Sequence, residues 1–199
     1  NLWNESGQDR PSIAKFLLLI FMIALFLRIY LVLYPEVIHK DGTTYIRCAK
    51  QILSGNWGGE KPPPLYPCLI ALISWFTKDF ELAGIWVSVI FGSLIVIPVF
   101  YLGKEIVNEK VGMLSALLTT VHPTLYISSG SVLTESTYHF LLSTSVLLSW
   151  YAFRHGRLRD TLLFCLLTTL TYLTRPEAIG LLLIFTLWVL LVPPPHGSR

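Results

Sequence analysis

The run SIAKFLLLIFMIALFLRIYLVLY, residues 12–34, settles which solvent this chain folds in. It is longer than the roughly 20 residues a helix needs to cross a bilayer core. It is too long for a signal-peptide core and has no small-residue cleavage site, so it reads as a retained anchor. Arg28 lies inside it, where a charge is costly in lipid and must face protein or snorkel outward. The composition agrees. The chain has 199 residues, 53% hydrophobic and 14% charged, against about 25% charged in a soluble domain. The net charge of +3 is small, and no basic cluster interleaves with aromatics, so a nucleic-acid partner is not expected.

Outward from that run, residues 35–61 are polar. Within them DGTTYIRCAKQILSG, residues 41–55, places apolar side chains at positions 45, 46, 48, 49, 52 and 53. That is a helical period, with Arg47, Lys50 and Gln51 on the other side and Gly55 closing the element. It reads as an amphipathic helix lying along a membrane interface. EKPPPLYPCLIALISWF, residues 60–76, follows. Its apolar part is too short to span and suits a second interfacial or re-entrant helix.

Further apolar runs cover residues 80–104, with Pro98 inside, then 111–128 and 134–153. Two shorter ones, 161–174 and 178–192, are split by Arg175-Pro176-Glu177. The expected fold is therefore all-α: a polytopic transmembrane helix bundle of about six spans. Two interfacial helices occupy a first outer loop over 35–79, and residues 1–199 form a single transmembrane domain. The basic loop RHGRLR, residues 154–159, and the absence of Lys or Arg near Gly130 put the N-terminus in the cytoplasm. Asn4-Glu5-Ser6 matches a glycosylation acceptor but falls on the cytoplasmic side. Cys48, Cys68 and Cys165 have no metal or redox spacing, although Cys48 and Cys68 could pair if both lie outside.

This topology gathers three polar groups at the outer surface. Asp41 reads as the N-cap of the amphipathic helix, a position that could also serve a general base or metal ligand. Glu135 stands in the first turn of a span, favoured there by the helix dipole. His139, one turn later, is either a packing residue or Glu135's partner. Arg175 and Glu177 are either solvated loop charges or, for Arg175, a binder of phosphate. The residues alone give an outward-facing polar site suited to an anionic lipid headgroup, and they name no reaction.

The order of motifs adds to this. A first span is followed by Asp41-Gly-Thr-Thr-Tyr45, AKQILSGNW, EKPPPLYPCLIALISWF, KVGMLSALLTTVHPTLYISSGSVLTE and LTYLTRPEAIGLLL. From about Phe16 to Trp188 this resembles the GT-C membrane glycosyltransferases of the dolichyl-phosphate-mannose protein mannosyltransferase type, with the aminoarabinose transferases among their bacterial relatives. Relatives are longer, so the resemblance implies the N-terminal half of a GT-C-type module.

It implies inverting transfer of a sugar from a polyprenyl phosphate to an acceptor hydroxyl outside the cytoplasm. The acceptor would be a lipid, glycan or protein, and the setting a bacterial inner membrane. Asp41 would be the base and Glu135 would help position the acceptor or a metal. Tyr45, Lys61, Tyr66, His139, Arg175 and Glu177 would contact substrate. Charge growing on the leaving phosphate needs cations, which Lys61, Arg175 or a divalent metal would supply. The resemblance calls for no cofactor beyond an optional divalent metal. Many relatives carry two adjacent acids where Gly42 follows Asp41 here, which leaves one base. The rival readings are a non-catalytic membrane partner or truncated remnant that binds a lipid phosphate, and a transporter. The absence of internal repeats argues against the transporter.

Overall fold

The computed structural model describes residues 10–33, 39–56 and 62–191, and among these there is helix but no strand. Asn4-Glu5-Ser6 and Lys61 lie outside the described residues. The first apolar run is helix α1, Arg10–Val32. The polar segment contains α2, Lys40–Leu53, and the proline-rich stretch leads into α3, Leu65–Thr77. The next run is α4, Phe80–Leu94, continued by α5, Val96–Ile106. Two helices, Ser12–Val32 and Phe80–Ile106, are long and apolar enough to cross a membrane.

Prolines set the breaks. Pro98 has no N–H to offer the Leu94 carbonyl, so regular helix pauses at Ile95 before α5 resumes. The run expected as one helix over 111–128 is two. α6, Glu109–Val121, ends at His122, which Pro123 holds extended at φ −63°, ψ 120°. α7, Pro123–Ser128, then starts on the proline itself, where a missing N–H costs nothing. α8, Glu135–His155, and α9, Leu158–Tyr172, form an antiparallel pair, followed by a 3₁₀ turn at Pro176–Ala178 and α10, Ile179–Leu191.

Side chains at the helix starts and small residues at the crossings fix the packing. Asp79 caps α4 by accepting from the amides of Glu81 and Leu82 at 2.7 and 3.1 Å. Asn108 does the same for α6 through Val111 N–H at 3.0 Å. Where α5 crosses α6, a Cβ on Gly103 would sit 2.9 Å from Gly112 Cα, so the two backbones touch. One core cluster joins α2, α3 and α4 through Ala49, Tyr66, Ile70, Ala83 and Val87; a second joins α1, α5 and α6 through Ile20, Ala24, Val96, Phe100 and Ala116. Apart from Thr186, whose hydroxyl donates to the Leu182 carbonyl at 2.7 Å, α10 carries no polar side chain and has no buried residue, a surface that suits apolar surroundings.

Arg28 does face protein. It is fully buried, its Nε donates to Ser129 Oγ at 3.2 Å and its Nη1 to the Ala24 carbonyl at 3.1 Å. Gly92 makes the room, since a Cβ there would lie 2.2 Å from Ser129 Oγ and 3.1 Å from Arg28 Nε. No disulfide joins Cys48 to Cys68.

The bundle has two polar ends. At one, Arg154 pairs with Glu105 at 3.0 Å and Lys104 with Glu109 at 3.4 Å. At the other, α2 and α3 meet the starts of α4 and α8 and the end of α9.

Candidate functional site

α2 carries Asp41 and Tyr45 on one face, one turn apart. The helix begins at Lys40 behind His39, which gives no side-chain cap. Asp41 is therefore not the N-cap expected from the sequence. It sits inside the first turn, where its charge still complements the dipole, and the Lys40 carbonyl is met by Thr43 Oγ1 at 2.7 Å. Asp41 is exposed, while Tyr45 is half-buried with its ring edge-on to Tyr66 at 5.2 Å.

Tyr66, expected to contact substrate, has no exposed surface. Its hydroxyl donates to the Gly84 carbonyl at 3.2 Å and shares a hydrogen bond of 2.9 Å with Ser88 Oγ, which in turn meets the Leu133 carbonyl at 3.2 Å. Tyr66 thus ties α3 to α4 and to the turn before α8, and supports the Tyr45 ring from behind.

The proline-rich entry explains why α3 begins where it does. Pro67 removes one orphan amide of the first turn, and the Leu65 amide is met by the Leu173 carbonyl at 3.0 Å. That bond fastens the start of α3 to the end of α9. There Pro176 forces the preceding Arg175 out of helical space, to φ −149°, ψ 126°. The turn aims the Arg175 side chain at the start of α8.

Arg175 Nη2 donates to Glu135 Oε1 at 2.5 Å, its Nε donates to Thr134 Oγ1 at 3.0 Å, and its Cζ lies 5.6 Å from the centre of the Tyr138 ring. Thr134 would ordinarily cap α8. Its hydroxyl makes no cap bond and instead joins Arg175 and Tyr45. Burial raises the Tyr45 phenol above its usual value, the Thr134 hydrogen bond opposes this, and the Asp41 and Glu135 carboxylates raise it further. Asp41, Tyr45, Glu135 and Arg175 thus belong to one electrostatic cluster although they come from three distant segments.

The remaining expected residues divide. The Glu135–His139 pairing is not made: Glu135 turns to Arg175, and Glu135 Oε2 and His139 Nδ1 each lack a hydrogen-bond partner. Glu177 is exposed on the 3₁₀ turn and takes no part in the Arg175 ion pair. Thr134 and Ser88 carry bonds that sequence reasoning missed, because hydroxyl residues are common in apolar helices and nothing in their spacing marks these two. Among the described residues no group of three or more His, Cys, Asp or Glu could hold a metal ion.

An exposed carboxylate and a half-buried arginine, whose fork is partly spent on a second carboxylate, thus both act on Tyr45. Such an arrangement can take a proton at one point and hold an oxyanion at another. The family model for dolichyl-phosphate-mannose-protein mannosyltransferases matches residues 61–198, and the chain belongs to that family. The match covers Tyr66, Glu135, His139, Arg175 and Glu177; Asp41 and Tyr45 precede it and reach the cluster through the packing of α2. No curated protein matches the chain.

Proposed function

We propose that this member of the mannosyltransferase family transfers a sugar from a polyprenyl-phosphate donor to an acceptor hydroxyl, with inversion, at the non-cytoplasmic face of a membrane. In this reading the chain crosses the bilayer about six times, and α2 and α3 lie along the outer interface. The N-terminus is cytoplasmic, and a bacterial inner membrane is the setting. The observation that supports the proposal is that the Arg175–Glu135 pair and Asp41 all act electrostatically on Tyr45 at one end of the bundle, beside the Leu65–Leu173 tie.

The chemistry follows from the charges. Asp41 accepts the proton of the acceptor hydroxyl, whose oxygen attacks the anomeric carbon from the side opposite the phosphate. The C–O bond to phosphate breaks and leaves negative charge on the departing lipid phosphate. Arg175 answers that charge, and its fork geometry suits phosphate as it suits Glu135. Lys61 is a second cation for the same role. Glu135 holds Arg175 until phosphate competes for it, and orients the acceptor.

A transfer assay on the complete protein in lipid, with radiolabelled polyprenyl-phosphate sugars, tests this. Asp41→Asn is expected to lower kcat by about 10²–10⁴-fold, the usual contribution of a general base, with donor binding retained. Transfer at the wild-type rate in the mutant would remove Asp41 from the mechanism. Donor binding by wild type with no turnover would turn the reading toward a binding partner.

A further inference from the structure

The other end of the bundle holds a second space, away from the Arg175 cluster. α8 turns Val146, Ser149, Trp150 and Phe153 toward it, the three- and four-residue spacing of one helix face. That face, with the end of α5, the first half of α9 and much of α10, encloses a cavity of about 320 Å³. Ring contacts hold α10 across it, Phe153 to Trp188 at 5.7 Å and Phe164 to Phe185 at 4.4 Å. Ile106, Ile184 and Trp188 in its wall are exposed, so the space opens along the side of the bundle.

The wall is almost wholly apolar. Ser149 spends its hydroxyl on the Val146 carbonyl at 2.7 Å. Trp150 has no such outlet, for its Nε1 is buried and meets no hydrogen-bond acceptor. A buried indole N–H ordinarily finds one, and leaving it unmet costs free energy. One turn further along α8 stands Arg154, paired with Glu105 at 3.0 Å, and the exposed Arg157 and Arg159 follow where α9 begins. The acids nearby have other neighbours: Glu109 pairs with Lys104 at 3.4 Å, and Asp160 lies 3.9 Å from His155.

Read from this loop inward, the structure presents cations, then an N–H donor, then an apolar slot, in steps of about one helical turn, or 5.4 Å. A phospholipid offers phosphate, ester carbonyl and acyl chain in the same order. A polyprenyl chain has no acceptor below its phosphate. A packed helix brings carbonyls already used in its own ladder. Arginines at a membrane surface attract anionic headgroups.

We infer that this groove holds one anionic phospholipid from the leaflet beside the 154–159 loop. Its acyl chain fills the cavity, an ester carbonyl accepts from Trp150 Nε1, and its phosphate lies at Arg157 and Arg159. The inference takes the membrane setting from the proposed function and none of its chemistry.

The full chain, stripped of lipid in detergent, is titrated with phosphatidylglycerol in ester-linked and ether-linked forms and with ester-linked phosphatidylcholine. Native mass spectrometry counts the lipid bound. The diester is expected to bind roughly three- to tenfold more tightly than the diether, the worth of one hydrogen bond. Trp150→Phe should abolish that ratio. Arg157→Gln with Arg159→Gln should cut the preference for phosphatidylglycerol over phosphatidylcholine by roughly fivefold or more. Equal binding of diester and diether by the wild type, or an ester preference that survives in Trp150→Phe, would overturn the inference. So would a headgroup preference unchanged in the double variant. Each ratio is taken within one protein, so a general loss of stability does not imitate the result. If Trp150→Phe fails to fold, the wild-type ratio of diester to diether decides. Tighter binding of a polyprenyl phosphate than of phosphatidylglycerol would give the groove to an isoprenoid, and lipid-free dimers would give it to a second copy; either result overturns the inference. Asp41→Asn should leave every ratio unchanged, so failure of the catalytic reading remains distinct from failure of this one.

Discussion

Arg175 and Glu135 stand 40 residues apart in the chain and 2.5 Å apart in space. Their side chains are 35% and 27% exposed, between the surface pair that contributes little and the buried pair whose disruption is severe. Removing Arg175 leaves Glu135 half-buried without its partner, while removing both takes away the charge and its cost together. Arg175→Met is therefore expected to destabilise the fold by about 1–3 kcal/mol, and Glu135→Gln added to it to recover part of that loss. A double-mutant cycle on Tm in lipid measures the coupling. Strict additivity would mean the pair does not hold α8 to the α9 corner.

Arg175→Lys separates charge from geometry. Lysine keeps the cation but cannot give the fork that reaches Thr134 and Glu135 together. Its stability should lie between wild type and Arg175→Met, and transfer should fall at least tenfold, about the 1.4 kcal/mol of one lost charge-assisted bond. A lysine variant with the full wild-type rate would reduce Arg175 to a point charge.

Tyr45 gives a pH signature. Its folded-state value is raised above 10.0 by burial first, with the Asp41 and Glu135 charges adding to it. The folded chain therefore holds the phenol proton more tightly than the unfolded chain does. The associated stability is fully present below the unfolded value of about 10 and is lost as pH rises through the folded one. The Tm difference between wild type and Tyr45→Phe should shrink as pH climbs past about 10. A difference that stays constant would mean that the fold does not raise the Tyr45 phenol at all.

Three glycines separate crowding from backbone conformation. Gly92→Ala forces a methyl to within 2.2 Å of Ser129 Oγ, and overpacking of this kind costs about 1–3 kcal/mol. Gly55→Ala meets no atom within 4 Å but must hold φ +71°, at a cost of about 1 kcal/mol from strain alone. Gly180→Ala meets neither obstacle, and should be neutral or stabilising by up to about 1 kcal/mol. Thermal unfolding of the three variants should rank them in that order.

The six-span reading predicts sidedness. In a cysteine-free background, Glu177→Cys should react with a membrane-impermeant maleimide added outside, and Arg157→Cys only after permeabilisation. Reaction of both from one side would mean that α9 does not cross.

Much of the helical plan was legible because each apolar run is long and each break falls at a residue with a backbone reason. The runs over 12–34, 134–153 and 161–174 return as α1, α8 and α9 with ends moved by a few residues. Gly55 closes α2 as its sequence suggested. The split at His122 was half visible: Pro123 announced it, but the apolar residues that follow masked the new start. Asp41 misled because an acid one position inside a helix has the same local sequence as a cap. The Arg175–Glu135 pair was out of reach for a different reason. Both residues were candidates, but their joining depends on the extended turn at Pro176 and on the Leu65–Leu173 bond, and neither has a local signature.

Timing is built into Arg28. Its partner Ser129 is 101 residues later, so at a synthesis rate of roughly 5–20 residues per second the guanidinium waits about 5–20 s for it. In the spanning reading, α1 carries during that interval a guanidinium without its Ser129 partner, whose cost in lipid is reduced by snorkelling toward the near end of the helix. A nascent chain halted before residue 129 keeps that burden, and only a chain that completes the turn into α8 is relieved of it.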